Sequence, residues 1–219
     1  MPGQILPKDI SDIRKEIKNF LDQKDDSGRK VGNAKYGVYA FYDYDGEPIY
    51  VGQTMEKLRG RISRHLTNQR TDAVAMNVLD PLEVAEVEVW PLFGLEEKNA
   101  IETLRAAEYT VFQKLLSESA IGAILNEKAI PKSRLIDLPA SFRKRIVPDH
   151  VYERQKHADI RIARRASTLA NLARVISERE ASDGLRRTLL TQARRLERLA
   201  SQRLSELGVS YSFAREENK

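Results

Sequence analysis

The 219 residues suffice for one catalytic domain plus an appendage, and are too few for two full-sized domains. With 41% hydrophobic and 32% charged residues the chain can bury a core beneath a polar surface, and no run approaches the roughly 18 apolar residues of a membrane helix. Cysteine is absent, which excludes disulfides and thiolate metal sites, and three histidines (His65, His150, His157) are too few for a multi-histidine zinc centre. Any catalytic metal is therefore expected to be a hard cation held by carboxylate and water. Met1 to Ile10 carries no apolar stretch of the secretory kind, and the expected location is the cytoplasm. The net charge of +5 is uneven: Val151–Lys219 holds 15 Lys and Arg against 9 Asp and Glu, and the residues before it 22 against 23. That arginine-rich third reads either as a surface for nucleic-acid phosphates or as helices laced with salt bridges.

In chain order, Ile10, Ile13, Ile17 and Phe20 recur at helical spacing and predict an amphipathic helix over 8–23, with a linker after it. Two β-rich runs follow, Tyr36–Tyr44 and Pro48–Thr54, separated by Asp45-Gly46. This dipeptide predicts a two-residue hairpin turn with positive φ at both positions. Lys57–Leu66 reads as a helix with Leu58, Ile62 and Leu66 on one face, residues 69–81 have no clear period, and Leu82–Trp90 alternates as a third strand closed by Pro91. Glu96–Ser117 predicts a helix with Ile101, Leu104, Val111, Phe112 and Leu115 inward. Pro131–Pro148 is expected to be a connection with short helical pieces. Ala158–Glu178 and Leu185–Leu207 then form an antiparallel helical hairpin cornered at Ser182-Asp183-Gly184.

A two-residue turn makes paired residue numbers sum to 91, so Tyr39 lies opposite Gly52 and Tyr50 opposite Phe41. Both phenols then share one sheet face as diagonal neighbours, and Gly52 is expected to leave open space beside Tyr39 for a phosphate or water. The plainer reading is an aromatic core ladder. On the next helix Arg61 and His65 are four residues apart and project together. A cation that meets developing phosphorane charge and a proton acceptor beside it suit phosphodiester cleavage. An arginine-rich surface helix with a packed histidine is the alternative. Glu108 lies between Leu104 and Phe112 in the apolar stripe of its helix, where a carboxylate needs a partner such as a metal ion. Glu96, Glu97 and Glu102 compete less well, being near the helix start or off the stripe.

Gly37-Val38-Tyr39 and Tyr50-Val51-Gly52, followed in order by Arg61, His65, Glu108 and Asn126, resemble the motif set of the GIY-YIG nuclease superfamily, with valine for isoleucine in both triplets. The resemblance covers roughly 35–128. It implies an α+β catalytic domain with a small three-stranded antiparallel sheet flanked by helices, here over 35–130. To this the chain adds an N-terminal helix and linker (1–34), a connection (131–150) and a C-terminal antiparallel helical hairpin with a tail (151–219). It further implies a metal-dependent endonuclease cutting DNA to 5′-phosphate and 3′-hydroxyl ends. In that reading Tyr39 is the general base or water-positioning phenol, made more acidic by nearby cations, and Tyr50 orients it. Arg61 stabilises the phosphorane, His65 assists proton transfer, and Glu108 holds Mg²⁺ or Mn²⁺. Asn126 organises the site, although it stands farther past the glutamate than in relatives and without the usual intervening proline. Gln53 replaces a lysine common in relatives, whose charge is either supplied elsewhere, by Lys35 or Arg59, or not needed. Gly52, Gln53 and Arg59 are the expected substrate contacts. The partner implied is nucleic acid, double-stranded DNA first, and a homodimer would cut both strands. Restriction or another defence role is the leading expectation, with a structure-specific repair or recombination nuclease, a catalytically silent nucleic-acid-binding protein and an RNA-directed nuclease as alternatives.

Overall fold

Tyr36–Tyr42 and Pro48–Thr54 form antiparallel strands β1 and β2 in the computed structural model, which describes residues 6–67, 78–126, 128–178 and 180–209. Their register is the expected one over most of its length, with Tyr39 opposite Gly52 and Phe41 opposite Tyr50, but the turn that sets it differs. Gly46 N–H donates to the Asp43 carbonyl at 3.1 Å and Asp43 N–H to the Glu47 carbonyl at 3.0 Å, so the loop is one residue longer than a two-residue turn. Gly46 follows at φ 73, where a Cβ would be strained. This shifts the pairing to Tyr42 opposite Pro48, and a bulge between Phe41 and Tyr42 restores the offset. Asp43 holds the loop, its Oδ1 accepting from the N–H groups of Asp45 (2.9 Å) and Glu47 (3.1 Å).

β3 (Glu86–Leu92) pairs with the other side of β1, running through Pro91 rather than stopping at it. The sheet has four strands, not the three expected, in the order β2-β1-β3-β4. β4 (Phe142–Arg145) falls where a connection was predicted. Its four residues, three of them basic, carry no apolar alternation to read; the strand is defined by what it meets across the sheet. Arg143 binds Glu86 at 2.6 Å and lays its guanidinium over the Tyr42 ring at 3.6 Å. β4 also covers the edge that β3 would otherwise present.

Every residue of β1 is buried, because helices cover both faces of the sheet. On one face, α1 (Pro7–Leu21) and α2 (Leu58–Thr67) pack Ile17, Phe20, Leu58 and Ile62 against Tyr39, Phe41, Val87 and Val89. On the other, α3 (Glu97–Glu118) packs Leu104, Ala107, Val111 and Leu115 against Val38, Ala40, Val51 and Trp90. Ile101, expected inward, is 52% exposed, since only part of α3's apolar surface meets the sheet. A short helix α4 (Asp149–Gln155) leads into the long pair α5 (Ala158–Glu178) and α6 (Asp183–Glu206). Ser182 caps α6 by accepting from Leu185 N–H, as its place at the corner suggests. Leu172 and Leu185 join the core on the α1 and α2 side, so the C-terminal hairpin packs onto the four-stranded sheet. Most of residues 69–81, which had no clear period, lie outside the described residues.

The arginine excess of the C-terminal third now divides. Asp43, 2% exposed, receives Arg165 at 2.8 Å and Arg195 at 3.0 Å, and Arg161 lies at 3.8 Å. Glu83 takes Arg165 at 2.7 Å, and Arg161 also pairs with Asp45. The surrounding cations hold Asp43 below the usual carboxylate range despite its burial. Those three arginines serve the salt-bridge reading, not phosphate.

Candidate active site

Tyr39 is brought to the centre by its strand and kept there by two glycines. A Cβ on Gly52 would stand 2.5 Å from the Tyr39 hydroxyl oxygen and 2.6 Å from Cζ, so the ring lies flat across the glycine. The space expected to be open beside Tyr39 is thus filled by Tyr39 itself. A Cβ on Gly37 would meet the Leu58 side chain at 2.9 Å, and its absence lets α2 seat close against β1. Both glycines of the paired triplets have a steric reason.

Seating α2 delivers Arg61 and His65 to the phenol. Arg61 Nε donates to Tyr39 Oη at 3.2 Å, and Tyr39 Oη lies 2.9 Å from His65 Nε2. The guanidinium only donates, so Tyr39 accepts there; the second contact runs from the Tyr39 hydroxyl to Nε2 in the His65 tautomer that carries its hydrogen on Nδ1. His65 Nδ1 is buried and has no hydrogen-bond partner among the described residues. Burial, with the charges of Arg61 and Arg64, lowers the His65 pKa to about 4, so the imidazole is neutral and able to accept a proton. Tyr50 stacks on Tyr39 at 6.2 Å and on Phe41 at 5.8 Å, and His65 packs against all three rings. The aromatic ladder and the polar cluster are one object.

The electrostatics correct one expectation. Burial pushes the Tyr39 phenol well above its ordinary range, and the pull of Arg61 in the other direction is smaller. The phenol is less acidic here than in water, not more, because 0% of Tyr39 reaches solvent. It stands at neutral pH as a protonated hydrogen-bond donor.

Glu108 approaches on α3, the helix that covers the opposite face of the sheet. Its carboxylate forms no hydrogen bond or salt bridge among the described residues. Burial raises its pKa to about 7 while Arg61 lowers it, and its charge in turn raises that of Tyr39. Tyr39, Arg61 and Glu108 therefore share one electrostatic neighbourhood. A half-buried carboxylate without a counterion fits a hard cation, which would relieve the desolvation that keeps it protonated. No group of three or more His, Asp or Glu suited to a metal occurs among the described residues, so Glu108 would be the protein oxygen and water or phosphate the rest.

Asn126 acts on backbone. Its Nδ2 donates to the Val51 carbonyl at 2.7 Å and its Oδ1 accepts from Val51 N–H at 3.2 Å, pairing the outer edge of β2 between Tyr50 and Gly52. Leu125 N–H extends this pairing to the Ile49 carbonyl at 2.9 Å.

The expected substrate contacts separate. Gly52 is in the cluster as the seat of Tyr39. Gln53 is opposite Val38 on the α3 side of the sheet, and its Oε1 is buried without a partner among the described residues. Arg59 turns away from the cluster, donating to the Leu21 carbonyl at 3.0 Å and Asp22 at 2.8 Å, where it closes the end of α1. Lys35 pairs with Glu97 at 2.5 Å. Neither cation stands in for the lysine that Gln53 replaces. Phe41, expected only as the residue opposite Tyr50, also belongs to the ring cluster, as its place two residues on from Tyr39 in the strand period signals.

The arrangement offers a donor-only cation, a phenol hydrogen-bonded to a neutral imidazole and a half-buried carboxylate. Residues 35–119 match the family model described as the GIY-YIG catalytic domain. No curated protein and no solved structure matches the chain.

Proposed function

Through its segment 35–119 the chain belongs to the GIY-YIG nuclease superfamily, and from that premise we propose that it is an endonuclease hydrolysing phosphodiester bonds in DNA with a divalent cation, Mg²⁺ or Mn²⁺, held by Glu108. The observation that carries the reading is the meeting of Tyr39, Arg61 and His65 through hydrogen bonds, with Glu108 coupled to them by charge.

Arg61 is half-buried at the cluster and is the group that receives the scissile phosphate, where its charge offsets that of the developing phosphorane. The attacking water, which reaches Tyr39 Oη only when the packing closed over it loosens, forms the new P–O bond and gives its proton to Oη as the Tyr39 hydroxyl proton passes to His65 Nε2. The neutral imidazole is the final acceptor and the phenol need not ionise in advance. Tyr50 and Phe41 fix the plane of Tyr39 by stacking. The P–O3′ bond breaks, leaving 5′-phosphate and 3′-hydroxyl ends. Held by Glu108, a divalent cation would supply Lewis-acid polarisation of the phosphate and charge for the leaving oxygen. Glu108 binds it in competition with a proton, and Asn126 keeps the β2 edge in register.

A role in restriction or another defence is the biological setting we favour. The test is nicking of supercoiled plasmid with and without Mg²⁺, with the product ends mapped. Cation-dependent nicks bearing 5′-phosphates, lost in Glu108→Ala, are expected. Plasmid binding without any nicking would instead favour a silent nucleic-acid-binding protein.

A further inference from the structure

The arginines of the two long helices are mostly matched by acids: Arg161, Arg165 and Arg195 by Asp43 and Glu83, Arg164 by Asp80, Arg174 by Glu178 and Arg203 by Asp159. Arg186, Arg187 and Arg194 on α6 are different. All three are exposed, and among the described residues none of their side chains makes an ion pair or hydrogen bond. Arg198, next along, reaches only the carbonyl of Ala120, at 3.5 Å. Arg187, Arg194 and Arg198 recur at helical spacing and so share one side of α6. At 1.5 Å per residue the row is about 17 Å long, the axial length that carries about five phosphates on each strand of a duplex.

Two further features bear on what the row meets. Arg194 and Arg198 border a depression of about 510 Å³ against Ala120 and Ile121 at the end of α3. One carboxylate, Glu197, also borders it and accepts from Ser201 at 3.2 Å. The row is also anchored: Arg195, beside Arg194, is buried on Asp43, which opens the loop after β1 four residues on from Tyr39. A basic helix face tied this directly to the catalytic hairpin keeps a constant offset from the reacting atoms.

We propose that this outer face of α6 is a phosphate-backbone rail, on which Arg186, Arg187, Arg194 and Arg198 hold duplex nucleic acid beyond the cleaved bond. The identity of the partner rests on the nuclease reading; the surface itself rests on the unmatched arginines. It lies outside the catalytic domain, so its contacts add affinity without touching the chemistry. Arginine suits it by its fork of donors and its weak hydration.

The test uses the full chain carrying Glu108→Gln, which keeps the probe intact, and a fluorescein-labelled DNA duplex whose anisotropy is followed across a salt series. Adding Arg186→Ala, Arg187→Ala and Arg194→Ala is expected to flatten the slope of log K against log salt by about three and to weaken binding at least tenfold at low salt. In the otherwise native chain the same three changes should raise the KM for plasmid nicking and leave the single-turnover rate at saturation unchanged. An unaltered salt slope and affinity would overturn the rail, even if the plasmid is cut normally. Conversely, a parent chain that binds with the steeper slope yet never nicks leaves the rail standing and removes the nuclease reading.

Discussion

At the scale of single residues, the behaviour of Tyr39 and Glu108 follows from burial opposing charge. Tyr39→Phe removes the relay hydroxyl while keeping the ring that stacks on Tyr50 and Phe41. Nicking is expected to fall by about 10² to 10⁴-fold, with the fold kept and a loss of about 1–2 kcal/mol for the hydrogen bonds to Arg61 and His65. Plasmid assays alongside denaturant melts separate the two effects. Glu108, with its pKa raised from 4.5 to about 7, favours the folded chain when protonated. That contribution is present below 4.5 and is lost as pH rises through about 7. Glu108→Gln should therefore stabilise the protein at pH 8 but not at pH 4, by about 2 kcal/mol after allowance for partial exposure. His65 runs the other way: its lowered pKa gives stability that is full above 6.5 and lost as pH falls toward 4. The acid limb of nicking should have its midpoint near 7 at low Mg²⁺ and move to lower pH as Mg²⁺ rises, since cation and proton compete for Glu108. A midpoint indifferent to Mg²⁺ would take Glu108 out of cation binding.

At the scale of elements, the hairpin is held in register by three local devices: the Asp43 loop, the bulge, and the side chain of Asn126 along the edge. Gly52→Ala places a methyl where the Tyr39 hydroxyl lies, and one of the two must move. A cost of about 1–3 kcal/mol is expected from overpacking, together with loss of nicking because the phenol leaves His65. Thermal melts and plasmid assays read the two, and unchanged activity would mean the seat of Tyr39 is not needed. Asn126→Ala leaves both polar groups of Val51 on an open edge. Hydrogen exchange at Val51 should quicken while the distant β3 amides stay protected.

At the scale of the whole molecule, the C-terminal hairpin is bound to the catalytic sheet by Asp43 and Glu83 against three buried arginines. Asp43→Ala strands Arg165 and Arg195 beside each other without their shared counterion and is expected to cost about 3–5 kcal/mol, visible in a denaturant melt. A single transition at lower denaturant would mean hairpin and sheet still unfold together; an early separate transition would mean Asp43 joins two units. The register over Gly37–Phe41 came out as expected because the bulge offsets the longer loop; legible along the chain itself were the alternation that sets Tyr39 on one strand face, the helical spacing of Arg61 and His65, and the place of Glu108 in an apolar stripe. All of these follow from periods of two and of 3.6 residues, which are local. Strand β4 was not legible, since its partner Glu86 is far away in sequence. Nor was the fate of Arg59, taken by the end of α1, or the division of the C-terminal arginines between Asp43 and open solvent. Only tertiary structure decides these, because a charged side chain carries no mark of which distant acid or carbonyl will enclose it. The acidity of Tyr39 belongs with them: neighbouring cations can be guessed from spacing, but the burial that outweighs them exists only once the sheet and its helices close around the phenol.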